Sequence, residues 1–292
     1  MTGQTGLAGQ TVGVIGLGLM GRPMARNLAK AGAALVISSR SPGPVEELAG
    51  EGMSPAANPA EVAARADAIV LMLSDTVAVE SVAASLMDAL RPGHLVIDMG
   101  TTAVGATRKL AEAARAKGAE WVDAPVSGGT VAAEAGTLTI MAGGTEEAFA
   151  RALPLFQAMG QRITHVGDSG AGQVAKMANQ VIVALSIGAV AEALALAKAA
   201  GVEPGKVRDA IRGGFAESRI LELHGQRMVS GDFTPGGRVV TQIKDLKQAE
   251  ELAEQSGIQL PALGLSLELF ELLAEQGDGG LDHSALYRLF VK

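Results

Sequence analysis

The sequence predicts a doubly wound α/β domain built on a parallel sheet, followed by an all-α domain. Three observations carry that expectation. Over the first half, short continuous apolar runs alternate with helical stretches, the pattern of strands buried on both faces and joined by crossover helices. The run 172–200 holds no proline and reads as one helix ~40 Å long at ~1.5 Å per residue. No convincing strand follows it. At 292 residues the chain is long for one domain and short for three.

The elements follow in order. Residues 11–15 form a first strand, then a glycine cluster opens a helix over 22–31. A second strand at 34–38 precedes a short helix at 44–50, and a third at 68–73 precedes a helix over 77–90. The strand 94–98, the helix 106–117 and the strand 120–124 continue the right-handed βαβ series. Residues 137–143 and 163–166 make a last pair of edge strands around a helix at 145–159. At Gly167 the character changes to helix alone, and Gly201 with Pro204 stops the long helix, as a C-cap glycine and a following proline do. Four or five more helices complete the chain. The expected domains are therefore 1–166 and 167–292, without an internal repeat or low-complexity linker.

Composition narrows the chemistry. With 24 basic and 31 acidic residues the net charge is −7, and no basic run exceeds two residues, so a nucleic-acid surface is not expected. The chain holds 38 glycines, nearly twice the typical ~7%, so backbone packs closely on backbone or ligand. Cysteine is absent, which removes disulfides, thiolate nucleophiles and Cys-based metal sites. The four histidines, His94, His165, His224 and His283, show no zinc-ligand spacing, and no metal is expected. The first ten residues have no signal-peptide pattern. The most apolar stretch, 181–191, falls short of the ~20 residues of a membrane span and reads as a buried core helix. A cytoplasmic protein without a membrane partner is expected.

Gly16-Leu17-Gly18-Leu19-Met20-Gly21 lies between the first strand and its helix. In that context the first glycine makes the tight turn, the second lets a pyrophosphate approach the backbone, and the third packs helix on strand. The helix N-terminus then offers N–H groups to phosphate. Strand before and helix after favour dinucleotide binding, in the Rossmann manner, over a turn that is merely glycine-rich. The second strand ends in Ser38-Ser39-Arg40-Ser41, without the carboxylate that usually bonds the ribose 2′-OH of NAD. Arg40 can grip a 2′-phosphate while Ser39 and Ser41 add hydroxyls. NADP(H) is therefore favoured over NAD(H), the alternative being a solvated loop arginine.

Lys176, Asn179 and Gln180 share one face at the start of the long helix. A lysine and two amides on an otherwise apolar helix are costly unless they serve a cavity, or unless they simply mark its exposed side.

Four segments then resemble the β-hydroxyacid dehydrogenases. Residues 15–25, Ile-Gly-Leu-Gly-Leu-Met-Gly-Arg-Pro-Met-Ala, are similar to that family's amino-terminal signature. Asp123-Ala124-Pro125-Val126-Ser127-Gly128-Gly129 resembles its substrate motif, and 170–180 its catalytic motif. Lys244-Asp245-Leu246 is similar to its late cofactor motif. The four occur in family order across nearly the whole chain. Within the family, 176–185 and 282–286 are most similar to the tartronate semialdehyde reductase branch, whereas 3-hydroxyisobutyrate and 4-hydroxybutyrate enzymes commonly carry Asn at the position of Gln180. Ser74, where relatives often have proline, and Gly237, where they carry a bulky side chain, depart from the pattern.

The resemblance implies hydride transfer between nicotinamide and the hydroxyl-bearing carbon of a short 3-hydroxy acid or semialdehyde. Lys176 is implied as the acid–base group, its ammonium disfavoured by the helix end and by burial. Asn179 orients substrate oxygens and Gln180 assists. Ser127, Gly128 and Gly129 hold the carboxylate, although Ser-Gly-Gly read alone is a turn. Leu73, Ser74 and Thr101 are expected near the cofactor, with Thr101 equally able to cap a helix. Lys244 closes over the cofactor, or pairs with Asp245 at the surface. His283 and Asp123 are read as structural. A non-catalytic scaffold of this fold is expected to lose the Lys176 equivalent. Imine reductases of similar architecture typically carry Asp or Tyr there, and a flavin or methyl-donor protein leaves Lys176, Ser127 and Lys244 unexplained. The long helix has more apolar faces than a small domain can cover, so a homodimer or homotetramer is expected.

Overall fold

The computed structural model describes residues 6–291. Contacts divide it into two compact units, Met1–Lys176 and Met177–Lys292.

In the first unit β1 (Thr11–Ile15), α1 (Gly21–Lys30), β2 (Ala34–Ser38), α2 (Pro42–Gly50) and β3 (Ser54–Pro55) open the series. Then come α3 (Pro59–Arg65), β4 (Ala68–Leu71), α4 (Thr76–Met87), β5 (Leu95–Asp98), α5 (Val104–Ala116) and β6 (Glu120–Asp123). The unit closes with β7 (Val126–Ser127), α6 (Gly129–Ala135), β8 (Leu138–Gly143), α7 (Glu146–Met159) and β9 (Gly160–Gly167). The sheet runs β3-β2-β1-β4-β5-β6-β8-β7, with β9 on β8. Every pair from β3 to β6 is parallel, while β8 runs antiparallel to β6 and β7. The doubly wound expectation holds.

The continuous apolar runs have a direct cause. Along β4, Val70 joins one core layer with Met24, Leu28 and Phe156, whereas Ile69 and Leu71 join the opposite layer with Val62, Val79 and Trp121. Successive side chains of a strand point to opposite faces, so a sheet covered on both sides needs apolar residues at every position. Gly13 contributes by lacking a side chain, because a Cβ there would run into Val62 of α3.

Four elements of this unit were not anticipated, one of them the two-residue strand β7. The edge strand β3 has only two residues. The helix α3 is announced by its N-cap Asn58, which accepts from the Glu61 N–H at 2.9 Å, while Glu61 reaches back to accept from the Ala57 N–H, one residue before the cap, at 2.8 Å. The helix α6 begins inside the Ser-Gly-Gly stretch that alone reads as a turn.

The second unit is helical, as expected, with α8 (Ala171–Ala199) entering it from the first unit, then α9 (Pro204–Ile211), α10 (Arg219–Ser230), α11 (Val239–Gln255) and α12 (Pro261–Leu273). A 3₁₀ helix, His283–Leu289, ends it. Met177, Ala184, Ile187, Ala191 and Leu194 of α8 are buried with Val239, Leu246, Phe270 and Leu286. By length and composition α8 alone among the described helices could cross a bilayer, and it is longer than the apolar stretch anticipated within it. Its buried stripe is that of a core helix.

Candidate active site

Within the first unit, the expected cofactor residues Gly16–Gly21, Ser39–Ser41, Leu73, Ser74 and Thr101 follow the carboxyl ends of β1, β2, β4 and β5, while Lys244 lies on α11 in the second unit. The Gly16 N–H donates to the Ser38 carbonyl at 2.9 Å, and the Leu17 N–H reaches Ser39 Oγ at 3.5 Å. Each glycine of the loop has its own reason. Gly16 has φ +96°, and a Cβ there would strike the Met72 carbonyl. A Cβ on Gly21 would strike the Gly16 carbonyl, which is why α1 can start so close to β1. Gly18 faces open space, with nothing within 4 Å of a Cβ position. That is the cradle a pyrophosphate requires, so the residues present fit an NAD(P) cofactor. Leu17 is buried in the core, whereas Leu19 is exposed and Met20 half-buried.

Around the loop, Leu73 lies against Gly16 and Gly100, its Cδ2 2.9 Å from a Cβ position on Gly16 and its carbonyl 2.9 Å from one on Gly100. Ser74 donates to Asp75 at 2.6 Å, and Asp75 caps α4 through the Ala78 N–H at 2.9 Å. Ala103 occupies the N-cap position of α5, two residues beyond Thr101. Arg40 and Ser41 are exposed and Ser39 is half-buried. Arg40 has no ion-pair partner among the described residues.

The second cluster joins the two central motifs. Lys176 is only 7% exposed, and its Nζ donates to the Val126 carbonyl at 2.9 Å. Val126 precedes Ser127, so the ammonium sits beside the Ser127-Gly128-Gly129 segment. Gly128 and Gly129 have φ of +128° and +65°, conformations that side chains other than glycine rarely adopt. On the first turn of α8, the Gly170 and Gln173 N–H groups donate to the Asp123 carboxylate at 2.7 and 2.9 Å. Burial pushes this carboxyl up to about 7, against the pull of those two N–H donors and with the help of nearby Asp98. The Gln173 amide accepts from the Thr102 N–H at 3.1 Å and donates to the Gly100 carbonyl at 3.0 Å. Thr102 in turn donates to Asp98 at 2.6 Å. One buried polar knot therefore ties the ends of β5 and β6 to the helix that carries Lys176.

Farther along α8, the Asn179 side-chain amide donates to the side-chain oxygen Oε1 of Gln180 at 2.8 Å. Gln180 is buried, donating to Asp245 and, at 3.4 Å, to Gln242. Lys244 Nζ stands 2.9 Å from Asp245 Oδ1. Because Asp245 is buried and bonded to Gln180, this is not the exposed surface pair considered above.

Sequence spacing did not reveal the grouping of His224, Asp282 and His283, whose ligand-type atoms lie within 4.8 Å of one another. Asp282 accepts from the Gly236, Gly237 and Ser284 N–H groups at 2.9–3.1 Å and from the Ser284 hydroxyl at 2.6 Å. Arg227 Nη1 adds an ion pair at 3.2 Å. A carboxylate so fully engaged anchors the loop before α11. Gly237 packs on the His283 ring, 3.1 Å from a Cβ position to Cε1, so a bulky side chain there would displace the imidazole.

Comparison with known proteins agrees with this geometry. Residues 11–167 match the NAD-binding domain of 6-phosphogluconate dehydrogenase, and 170–290 match the NAD-binding family of NADP-dependent 3-hydroxyisobutyrate dehydrogenase. The 2-hydroxy-3-oxopropionate reductase of Escherichia coli (strain K12) is 43% identical over 278 residues, covering 94% of this chain and 95% of the relative. The NAD-dependent L-serine dehydrogenase of Pseudomonas aeruginosa is 38% identical, with 96% and 97% covered. The Mycobacterium tuberculosis 3-hydroxyisobutyrate dehydrogenase with L-serine superposes with a TM-score of 0.90 at 30% identity, covering 97% and 99% of the two chains. With both halves matched and relatives aligned end to end, the chain belongs to the β-hydroxyacid dehydrogenase family of NAD(P)-dependent oxidoreductases acting on CH–OH groups.

Proposed function

We propose that this protein reduces tartronate semialdehyde to glycerate with NADPH, and catalyses the reverse oxidation, in the cytoplasm. The observation that carries the reading is the Lys176 ammonium held at 2.9 Å on the Val126 carbonyl, beside Ser127. The 43% identity to a 2-hydroxy-3-oxopropionate reductase supports the choice of substrate.

When bound, the nicotinamide supplies the hydride to the carbonyl carbon, or accepts it in oxidation. Lys176 gives a proton to the oxygen that gains charge during reduction, and in its neutral form takes that proton back during oxidation. Ser127, through its hydroxyl, and Gly128 and Gly129, through backbone N–H groups, hold the substrate carboxylate. Glycine is needed there because the backbone must adopt positive φ and approach closely. Asn179, three residues beyond Lys176 on the same helix, orients the substrate oxygens, and Gln180 fixes Asn179 at 2.8 Å. The Gly16–Gly21 loop takes the pyrophosphate, with Leu73, Ser74, Thr101 and Lys244 around the rest of the cofactor. Arg40, exposed and without an ion-pair partner among the described residues, takes the 2′-phosphate with Ser39 and Ser41.

In this reading residues 1–166 chiefly serve the cofactor and lend Ser127–Gly129 to the substrate, while 167–292 supply Lys176 and Asn179 to the substrate, Lys244 to the cofactor, and the surface for self-association. The exposed Val174, Ile182 and Leu196 of α8 support a homodimer or homotetramer. The test is steady-state oxidation of NADPH and NADH with tartronate semialdehyde, succinic semialdehyde and methylmalonate semialdehyde. The highest kcat/KM is expected for tartronate semialdehyde with NADPH. A clear preference for another semialdehyde, or for NADH, overturns the corresponding half of the reading.

A further inference from the structure

Asp123 is fully buried at the end of β6, directly opposite Asp98 in the β5–β6 ladder. Such a carboxylate is expensive, and its surroundings are shaped to keep it. A Cβ on Gly143 would lie 2.8 Å from Asp123 Oδ1, and one on Gly172 would lie 2.9 Å from Oδ2. With the Gly172 N–H 2.7 Å from a Cβ position on Gly143 and the Met141 carbonyl closer still to one on Gly172, these two glycines let β8, the end of β6 and the start of α8 close on one another around the carboxylate. Its oxygens divide the work, Oδ1 accepting from the Gly170 N–H and Oδ2 from the Gln173 N–H. These are early N–H groups of a 29-residue helix, which lack partners within the helix and favour an anion. Three residues beyond Gln173 stands Lys176, and three beyond Asp123 stands Val126, its acceptor.

We propose that Asp123 is a positioning residue for the reaction: its carboxylate registers the first turn of α8 on the end of β6, and so holds Lys176 beside Ser127. The role rests on Lys176 being the acid–base group. Two segments meet in the Lys176–Val126 bond, and Asp123 is the side chain that belongs to one and grips the other. An amide in its place keeps the shape but turns an NH₂ towards one of the two N–H groups, so one bond is lost and that end of the turn is released.

The buried charge also sets a sign for stability. Burial raises the carboxyl to about 7, so the folded state holds a proton that the unfolded chain gives up near pH ~3.9. The Asp123 contribution to stability therefore falls as pH rises from about 4 to 7, and it is least favourable once the group is ionised. The charged groups on the neighbouring elements are Asp98 on β5, Arg108 of α5, whose Nε lies 3.1 Å from a Cβ position on Gly170, and Lys176, three residues along α8 from Gln173.

The experiment compares the full-length wild type with Asp123→Asn, Asp123→Glu, Lys176→Ala and Lys176→Ala/Asp123→Asn. Asp123→Asn is expected to match or exceed the wild-type Tm at pH 8 and to bind NADPH normally. Its kcat should fall by about 10- to 100-fold, the scale of an ångström-level misplacement. In the Lys176→Ala background the same change should lower kcat by less than about twofold, because residues acting as a unit are not additive. A kcat for Asp123→Asn within about twofold of wild type overturns the proposal, and so does an equal loss in both backgrounds. If Asp123→Asn does not fold, Asp123→Glu carries the test. Its longer arm shifts the turn, so reduced kcat with intact NADPH binding supports the role, and wild-type kcat overturns it. Lys176→Ala alone keeps the two ideas apart. Retained turnover there defeats the proton-donor reading, while lost turnover beside a fully active Asp123→Asn defeats only the positioning role.

Discussion

Lys176 Nζ donates to the Val126 carbonyl at 2.9 Å, so a side chain from the start of a 29-residue helix is fixed on the backbone of a two-residue strand. The bond does two things. It satisfies an ammonium that is 7% exposed, which would otherwise be costly to bury, and it places a proton donor next to Ser127.

Lys176→Ala is expected to lower kcat for tartronate semialdehyde reduction by ~10²–10⁴-fold, the usual contribution of a positioned proton donor. Lys176→Arg should be nearly as damaging, since a guanidinium keeps its proton and does not fit an ammonium's place. NADPH binding, followed by fluorescence titration, should survive in both. Loss of binding instead would mark the residue as structural.

Arg40→Ala should weaken NADPH by about 1–3 kcal/mol, the scale of a charge-assisted hydrogen bond, and leave NADH nearly unchanged. Isothermal titration with both cofactors checks this. An equal loss for the two would show that Arg40 supports the loop rather than the phosphate.

Asp282 sets a pH dependence of the opposite sign to Asp123. Burial pushes its carboxyl up, but the His224 contact, the charge of His283 and the bonds from Ser284 and Gly236 hold it well below the usual carboxylate range. Its contribution is therefore present above the unfolded value of ~3.9 and lost as pH falls below it. Asp282→Asn should destabilise the fold by roughly 3–5 kcal/mol at pH 7, as breaking a buried ion pair does. The gap should narrow below pH ~4. Urea unfolding of both proteins at pH 7 and pH 3 measures it, and a constant gap would contradict the assignment.

The apolar face of α8 predicts self-association. Ile182 is 67% and Leu196 71% exposed, on a helix whose opposite side is core. A dimer or tetramer is expected by light scattering at micromolar concentration, and Ile182→Glu with Leu196→Glu should dissociate it. A wild-type monomer would refute the idea.

The sheet was legible because its cause is local. Strands β1 and β2 fall where the apolar runs place them, and the glycine loop sits where the strand-turn-helix order requires. The helix α3 was missed: Asn58, Pro59 and Glu61 carry its start signals, but the short apolar content of 59–65 hid it. The Asp123 grip on Gly170 and Gln173 was not legible, since it joins residues 47 and 50 apart in sequence. The same holds for His224 with Asp282 and His283, which spacing rules cannot bring together. Composition suggests which side chains are expensive to bury, and only the fold shows what compensates them.

The single tryptophan and the single tyrosine fall one in each unit. Trp121, buried on β6 against the α3–α4 layer, belongs to the first, and buried Tyr287, in the terminal 3₁₀ helix, belongs to the second. The chain thus carries one intrinsic chromophore per unit, without engineering. Indole emission tracks the melting of the sheet, and phenol absorbance tracks that of the helical unit. Their transitions, recorded together, tell whether the two units unfold as one cooperative block.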